Sequence, residues 1–289
     1  MLIGKIFWCR LVLRPLIPWP ALLIKNKKKT VVISDLHLGY EFELAEMGIN
    51  IPSQTEKIKE NLLRLIEKVR PDRLVILGDL KHSIPKISAQ EWQDIPFFLE
   101  EIRKKVVEVQ IVPGNHDGKL ATFLASNVKV TSGRGLLLKN REKIGLFHGH
   151  AWPSSKLFEA KFWVIGHNHP TIQFRGMFGF KVSKTAWIKI PVDRKKLTES
   201  FLRYRNVKIE GENPERVLEE KYGVKVNCSQ LLVMPAFNEL LGGLPFNVKD
   251  QNEFLGPILK SEGILLDKAE VFLTDGTYLG ILKDLKRVV

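Results

Sequence analysis

Five short apolar runs in the first 170 positions constrain the fold of this 289-residue chain more than any other feature. Their length and their content of β-branched residues are typical of buried strands. Amphipathic patterns with helical spacing lie between them, most clearly over residues 53–69 and 89–105. Strands that alternate with helices predict an α/β sheet. The five runs are TVVIS (30–34), RLVIL (73–77), EVQIV (108–112), KIGLF (143–147) and FWVI (162–165).

Two residues mark features of the predicted helices. Ser53 is the expected N-cap of the first helix, because a serine at this place accepts a hydrogen bond from the first turn. Pro96 predicts a kink or a break in the second helix, since proline has no amide hydrogen to donate.

The second half of the chain no longer shows the regular alternation of strands and helices. Strands are predicted over residues 172–190, 230–237 and 269–282, the last with an Asp-Gly turn. Short helices are predicted over residues 198–207 and 213–223.

No internal repeat or low-complexity linker divides the chain. We therefore expect one domain over residues 1–289. Its core is expected at residues 30–190, with an inserted segment at about 192–228 and C-terminal strands at 229–289.

The chain carries a formal net charge of +13, from 45 Lys and Arg against 32 Asp and Glu. This excess indicates either an anionic partner, such as nucleic acid, or a charged surface of the heat-adapted kind. The two cysteines, Cys9 and Cys228, form neither a CxxC pair nor a disulfide framework. Their use favours a reducing interior, and we expect a cytoplasmic protein.

The first 29 residues are apolar and basic and contain no acid. Lys5, Arg10 and Arg14 interrupt the apolar stretch, so it fits neither a signal peptide nor a membrane span. We expect a folded arm that ends in an edge strand, PALLI at 20–24, rather than a membrane anchor. No other part of the chain predicts an integral membrane segment.

Residues typical of metal sites follow each of the five predicted strands. In open α/β sheets, groups at the carboxyl ends of strands converge, so these side chains are expected to form one site. Any one of these motifs is as typical of a turn as of a ligand, but the five together predict a metal centre. In strand order they are Asp35 and His37, then Asp79, then Asn115, His116 and Asp117, then His148 and His150, then His167 and His169.

Glycines precede three of these motifs, at Gly78, Gly114 and Gly166. We expect them to let the backbone turn sharply at the strand ends.

The order D-x-H, G-D, G-N-H-D, H, G-H-x-H over residues 31–170 resembles that of the calcineurin-like metallophosphoesterases. The stretches SDLHLGYE, GDLKH and LLVMPAFNELLGG further resemble an archaeal subfamily related to Mre11 and SbcD. The resemblance implies an α/β fold of the four-layer αββα sandwich type.

The resemblance also implies two divalent metal ions with Asp79 shared between them. Carboxylate, amide and imidazole donors without cysteine suit Mn²⁺, Fe or Zn²⁺ rather than Ca²⁺, and the family pattern puts Mn²⁺ first. The first ion would take Asp35, His37, Asp79 and His169, and the second Asp79, Asn115, His148 and His167.

In such enzymes a hydroxide shared by the metals attacks phosphorus, and a histidine protonates the leaving oxygen. The resemblance gives the acid role to His116, with Asp117 either orienting it or serving as a turn residue. Lys81 and His82 are candidates to contact the substrate phosphate, the alternative being a basic surface loop. His150 either contacts phosphate, supports a ligand or faces away.

Three functions remain open at this point. The first is hydrolysis of phosphodiesters, with DNA or RNA among the candidate substrates. The second is hydrolysis of small nucleotides or phosphomonoesters. The third is a non-catalytic scaffold on the same fold, which the complete ligand set disfavours. The sequence leaves the oligomeric state undetermined.

Overall fold

Two β-sheets pack face to face in the computed structural model, which describes residues 12–25, 27–85, 87–124, 128–139, 142–176 and 179–286. The first sheet contains β1 (Leu13–Pro15), β2 (Leu22–Lys25), β3 (Lys29–Ile33), β4 (Arg73–Leu77), β5 (Glu108–Val112) and β6 (Lys129–Val130). These strands lie side by side in chain order. Strands β3 to β6 are parallel, and β2 and β1 extend the sheet in antiparallel fashion.

The second sheet has nine strands. They are β7 (Leu136–Leu138), β8 (Ile144–Leu146), β9 (Phe162–Ile165), β10 (Pro170–Arg175), β11 (Lys181–Pro191), β12 (Gln230–Val233), β13 (Leu244–Pro245), β14 (Glu270–Leu273) and β15 (Tyr278–Ile281). The order is β13–β10–β11–β12–β9–β8–β7, with β14 paired to β11 and β15 paired to β14. Strands β8, β9 and β12 run parallel, so their carboxyl ends lie on one edge.

Helices cover the outer face of each sheet. They are α1 (Tyr40–Glu46), α2 (Thr55–Val69), α3 (Ala89–Arg103), α4 (Arg194–Tyr204), α5 (Pro214–Tyr222) and α6 (Leu282–Leu285). Side chains of α2 and α3 form one apolar core with the first sheet, and side chains of α4 and α5 form another with the second sheet.

A third apolar core fills the space between the two sheets. The period-two alternation of a strand explains how one strand serves two cores. On β3, Val31 and Ile33 face the helices whereas Val32 faces the other sheet. Burial of each such side chain stabilises the fold by about 1.5–3 kcal/mol. The layers are therefore helix, sheet, sheet and helix, and the predicted αββα sandwich is confirmed.

The predicted strands agree closely with those observed. The runs at 73–77, 108–112 and 162–165 are strands over those residues. The other two runs, 30–34 and 143–147, each differ by one residue at both ends from β3 and β8. The predicted hairpin at 269–282 forms as β14 and β15, with Gly276 at φ 91° in its turn.

The expectation of an edge strand at PALLI is wrong. Strand β2 lies between β1 and β3, because the chain doubles back and Leu16 donates its amide hydrogen to Ala21. Strand β1 is the edge of the described sheet. The first eleven residues of the arm lie outside the described residues.

Two helix predictions are met only in part. Helix α2 begins at Thr55 with Gln54 as its N-cap, so Ser53 lies one residue before the cap. The hydroxyl of Ser53 accepts a hydrogen bond from the amide of Thr55 at 3.4 Å and donates one to Glu41 at 2.9 Å. Helix α3 continues through Pro96, so the break that was one of the two predicted outcomes is absent.

In the part of the chain that the structure describes, no helix combines the length and apolar character needed to cross a membrane.

Candidate metal centre

The strand ends of both sheets meet at one edge of the sandwich. The amide of Asp35, after β3, donates to the carbonyl of Gly78, after β4, at 3.1 Å. The amide of Gly166, after β9, donates to the carbonyl of His148, after β8, at 3.0 Å. The two sheets are joined where the amide of His167 donates to both carboxylate oxygens of Asp35, at 3.1 and 3.2 Å. The predicted convergence of these motifs is therefore present in the structure.

The backbone at this edge adopts an unusual conformation. Five predicted ligands have positive φ, between 39° and 70°. Non-glycine residues rarely occupy this region, and each costs on the order of 1–3 kcal/mol unless the surroundings enforce it. Such strain clusters at functional sites, where it aims side chains inward. The five residues are Asp35, His37, Asp79, His167 and His169.

The three glycines before the motifs are needed mainly for space. Only Gly78 has a positive φ, at 83°. A Cβ on Gly114 would lie 2.1 Å from Oδ1 of Asp79, and one on Gly166 would lie 2.5 Å from Oδ2 of Asp35. The sharp turn expected of all three thus applies to Gly78, whereas the other two let the backbone approach a carboxylate.

Asp35, His37 and His169 form the first group of side chains that could hold a metal ion, with their ligand atoms within 4.8 Å of one another. The carboxylate of Asp35 is fully buried and lies 3.2 Å from Nε2 of His169. Burial alone would raise the pKa of Asp35, but the imidazoles of His169 and His148 outweigh it and lower the pKa. The carboxylate therefore stays ionised, as a metal ligand must.

Asp79, His148 and His167 form the second group. Nε2 of His148 lies 3.0 Å from Oδ2 of Asp79, and the same oxygen lies 3.4 Å from Nε2 of His37 in the first group. Asp79 thus stands between the two groups, where a shared ligand is expected. Nδ1 of His148 contacts the carbonyl of Leu77 at 3.0 Å, which directs Nε2 toward the carboxylate.

Three ligand nitrogens lie against buried carboxylates. The buried Nε2 atoms of His37, His148 and His169 make no hydrogen bond of good geometry, although polar atoms inside proteins are normally satisfied. Each lies 3.0–3.4 Å from an oxygen of Asp35 or Asp79. The donor set and this convergence fit divalent metal ions, which would complete the coordination of all three nitrogens.

The protonation of the metal-free imidazoles differs between positions. Burial lowers the pKa of His37 to about 3 against the opposing pull of Asp79. Burial and the neighbouring His148 likewise lower the pKa of His167 to about 3. Burial would also lower the pKa of His148, but Asp79 and Asp35 outweigh it and raise the pKa to about 9. His37 and His167 are therefore neutral and ready to bind metal, whereas His148 must first lose a proton.

Two asparagines flank the centre in different ways. Asn115 is exposed on the loop after β5, between Gly114 and His116, both of which approach Asp79. Asn168 is buried, and its side-chain amide pairs with the backbone of Leu255. The pair His167 and His169 is thus divided between the two groups while Asn168 points into the protein, the arrangement expected from their spacing.

His116 stands beside the first group and is held by the backbone. Its amide donates to Oδ1 of Asp79 at 2.9 Å, and its Nδ1 contacts the carbonyl of His82. A carbonyl accepts only, so Nδ1 carries the hydrogen and Nε2 is left for other chemistry.

Asp117 does not contact the ring of His116. Its carboxylate accepts hydrogen bonds from the amides of Leu80 at 2.9 Å, Lys81 at 3.3 Å and Gly114 at 2.9 Å. Asp117 therefore ties the loop after β4 to the loop after β5. This geometry favours the turn-residue alternative over direct orientation of His116.

His82 contacts ligands of the centre rather than open solvent. Its Nδ1 lies 3.0 Å from Nδ1 of His37, and its Nε2 contacts the carboxylate of Glu43. The carboxylate takes the hydrogen on Nε2 of His82, so Nδ1 of His82 is the acceptor and His37 donates to it. This leaves the Nε2 lone pair of His37 facing Asp79. His82 therefore supports a ligand, a role that the sequence did not predict.

His37, His82 and His116 also lie close enough to hold a metal. The nitrogens of His82 are taken by His37 and Glu43, and Nδ1 of His116 by a carbonyl. We interpret this third cluster as a hydrogen-bonded network.

Lys81 is buried, and its ammonium contacts the carbonyl of Ser83. Burial lowers the pKa of Lys81, although Glu91 and Asp117 oppose the shift. The structure thus favours neither substrate contact nor an exposed basic tip at this residue. His150 lies beside the second group, with its ring 5.5 Å from that of His148, and burial lowers its pKa.

Sequence reasoning missed three supporting residues. Glu43 holds His82, and the buried carboxylate of Glu91 accepts from the amides of His82 and Ser83. The side-chain amide of Asn238 donates to the carbonyl of Leu36 at 2.9 Å, next to Asp35. Only Asn238 left a signal, since it belongs to the LLVMPAFNELLGG stretch that carries part of the family resemblance.

Two stacked sheets with paired aspartate and histidine groups at one edge define a protein of the metal-binding α/β class. The model of the calcineurin-like phosphoesterase family matches residues 28–226 of the chain. The chain therefore belongs to the calcineurin-like phosphoesterase family. A comparison with curated proteins finds no match.

Three solved structures are similar to the chain at low sequence identity. The nuclease MPE of Pseudomonas putida is 17% identical, with a TM-score of 0.49 over 91% of this chain and 97% of its own. The phosphoesterase Yfce from E. coli is 22% identical, with a TM-score of 0.34 over 51% of this chain and 73% of its own. A protein of unknown function from Aquifex aeolicus is 18% identical, with a TM-score of 0.35 over 48% of this chain and 78% of its own.

Proposed function

We propose that this protein is a metal-dependent phosphoesterase that hydrolyses phosphodiester bonds at a centre for two divalent ions. The observation that carries the proposal is the convergence of buried imidazole nitrogens on the buried carboxylates of Asp35 and Asp79. Asp35, His37 and His169 would hold one ion, His148, His167 and Asn115 the other, and Asp79 both. Such ions activate water and neutralise phosphoryl oxygens. Mn²⁺ is our first choice, ahead of Fe and Zn²⁺.

His116 is the proposed general acid. Its Nδ1 hydrogen is committed to the carbonyl of His82, so the proton for the leaving oxygen would have to come from Nε2. As the bond from phosphorus to the leaving oxygen breaks, Nε2 gives that proton to the oxygen. The carbonyl stabilises the protonated ring and fixes its orientation. Asp117 supports the same loop through the backbone amides that it binds.

The substrate is proposed to be an anionic phosphate ester, with DNA or RNA among the candidates. The net charge of +13 supports an anionic partner. The alternative is a small nucleotide or a phosphomonoester. Salt dependence separates the two, because binding to a nucleic acid weakens steeply as salt rises, with a slope near the number of neutralised phosphates.

A closer kinship with the archaeal subfamily related to Mre11 and SbcD belongs to the same proposal. Its support is the stretches SDLHLGYE, GDLKH and LLVMPAFNELLGG. A cytoplasmic location is also proposed, on the ground that the cysteines form no disulfide framework.

The decisive experiment varies the leaving group. With Mn²⁺ present, His116→Gln should slow hydrolysis of an alkyl phosphodiester by about 10²–10⁴-fold, the usual contribution of a general acid. The same variant should slow a nitrophenyl phosphodiester far less, because nitrophenolate leaves without a proton. Metal content measured by mass spectrometry should equal that of the wild type. Absence of hydrolysis of both esters by the metal-loaded wild type would refute the proposal.

A further inference from the structure

A cavity of about 450 Å³ opens beside His116. Its volume lies within the range of about 300–1,000 Å³ that small-molecule sites occupy. His116 and His82 form the wall nearest the metal centre. The rest is formed by residues of α1 and of the loop after His82, namely Phe42, Glu43, Glu46, Ser83, Ile84, Ile87 and Ser88. Lys86 of the same loop lies outside the described residues.

The position of His116 decides which part of a substrate this cavity receives. A general acid must lie within hydrogen-bond reach of the leaving oxygen. The leaving group therefore begins at His116, and the cavity is the adjoining space that can hold the remainder of it. This step depends on the proposed function, which assigns the acid role to His116.

The walls of the cavity are both apolar and acidic. Phe42 and Ile84 present large apolar surfaces, with 37% and 55% of each residue exposed, and Ile87 adds a third. Glu43 and Glu46 contribute two carboxylates. Of the lining residues that the structure describes, none is lysine or arginine.

This combination selects the chemistry of the occupant. An aromatic ring gains by packing on Phe42 and the two isoleucines. A further phosphate on the same group would meet the two carboxylates, and like charges in one cavity repel each other.

We propose that the cavity binds the leaving alcohol of the substrate, and that this alcohol is a nucleoside without a phosphate of its own. The enzyme would then act on the last linkage of a nucleic-acid strand or on a small nucleotide, and not in the middle of a strand. Water supplies the oxygen that forms the new bond to phosphorus. The bond to the nucleoside oxygen breaks, and that oxygen leaves with the proton from His116.

Matched dinucleotides test the inference directly. The dinucleoside monophosphate ApA is compared with ApA carrying an added phosphate at either end, and product analysis shows which nucleoside is released. A phosphate on the released nucleoside should lower kcat/KM by about tenfold or more. A phosphate on the retained nucleoside should have a smaller effect.

Variants of the cavity wall sharpen the comparison. Glu46→Gln should reduce the penalty for the phosphate on the released nucleoside, whereas Glu60→Gln, an exposed change on α2, should not. Glu46 is preferred to Glu43 because Glu43 also holds His82. Phe42→Ala should raise KM for ApA, and Phe97→Ala, an exposed phenylalanine on α3, should leave it unchanged.

A binding measurement provides a readout apart from catalysis. Saturation-transfer NMR of metal-free protein with adenosine should show contact that Phe42→Ala removes and Phe97→Ala retains. Equal kcat/KM for all three dinucleotides, with adenosine contact independent of Phe42, would overturn the inference and leave the phosphoesterase proposal in place. Failure to hydrolyse any ester, with adenosine contact still dependent on Phe42, would overturn the phosphoesterase proposal and leave the nucleoside site.

Discussion

The two metal-binding groups have the same composition, one aspartate and two histidines, but the protein supports them differently. In the first group His37 is held by the side chain of His82, which Glu43 holds in turn, and Nδ1 of His169 lies 3.3 Å from the carbonyl of Gly242. In the second group His148 is held by the carbonyl of Leu77, at the end of β4 in the other sheet.

This difference separates two ways of building a site. The first group depends on supporting residues that helices and loops bring to the strand ends. Substitution of a supporting residue that does not itself bind metal should therefore weaken metal binding by this group. The second group depends on the sheets themselves and on an ion pair between His148 and Asp79. Damage to the two groups should therefore be separable, except at Asp79, which faces both.

The largest effect is expected at Asp79. Asp79→Asn keeps the shape of the side chain but removes the charge next to His37 and His148. Metal content should fall from two ions per chain toward none, and phosphodiester hydrolysis should be lost. Asp267→Asn, which changes an exposed carboxylate, is the matched control. Retention of both ions by Asp79→Asn would show that the two groups do not share this ligand.

Single histidine changes test whether the two groups are independent. His169→Ala should mainly release the ion of the Asp35 group, and His167→Ala the ion of the Asp79 group. Calorimetric titration with Mn²⁺ should show one retained and one weakened site in each variant. If each variant weakened both sites equally, the division of the histidines would be incorrect.

A smaller effect is expected at Glu43. Glu43→Gln removes the charge that holds the hydrogen on Nε2 of His82, and through it the orientation of His37. Loss of such a supporting contact typically costs about 10–100-fold in metal affinity. The loss should fall on the first group alone, as measured by the same titration. An equal loss at both sites would argue for a general effect of charge.

Much of this arrangement follows from the sequence. Strand ends and ligand-type residues are local signals, so the sequence alone predicts that Asp35, Asp79 and His148 lie on one edge of the sheets. Supporting residues that the folded chain brings close from distant parts of the sequence gave no such local signal. Glu43 lies on an exposed helix and reads as surface charge, and Leu36 accepts from Asn238 across 202 positions of sequence.

The sequence also did not predict which polar residues near the site are buried. Lys81 follows a strand end and reads as a basic loop residue, but the buried Glu91 and Asp117 lie near its ammonium inside the protein. The glycines at 114 and 166 likewise read as turn residues, although their role is to leave space for carboxylates.

The smallest expected effect concerns pH and the metal-free protein. His148 has its pKa raised from 6.5 to about 9, so the folded state holds this proton more tightly than the unfolded state. The stability it contributes is fully present below pH 6.5 and is lost as pH rises through about 9. The free energy of unfolding, from urea titration of metal-free protein, should therefore fall between these values by on the order of 1–3 kcal/mol.

The contrast between the groups gives this prediction its control. His37 has its pKa lowered to about 3, so folded His37 is neutral in this range; its unfolded form loses a proton near pH 6.5, which adds only a small rise in stability, opposite in sign to the decline. His148→Gln should flatten most of the decline between pH 6.5 and 9, whereas His37→Gln should leave it in place. Bound metal should flatten it as well, because an imidazole that coordinates a metal has already lost its proton. A decline that persisted in His148→Gln would place the titrating proton on another group.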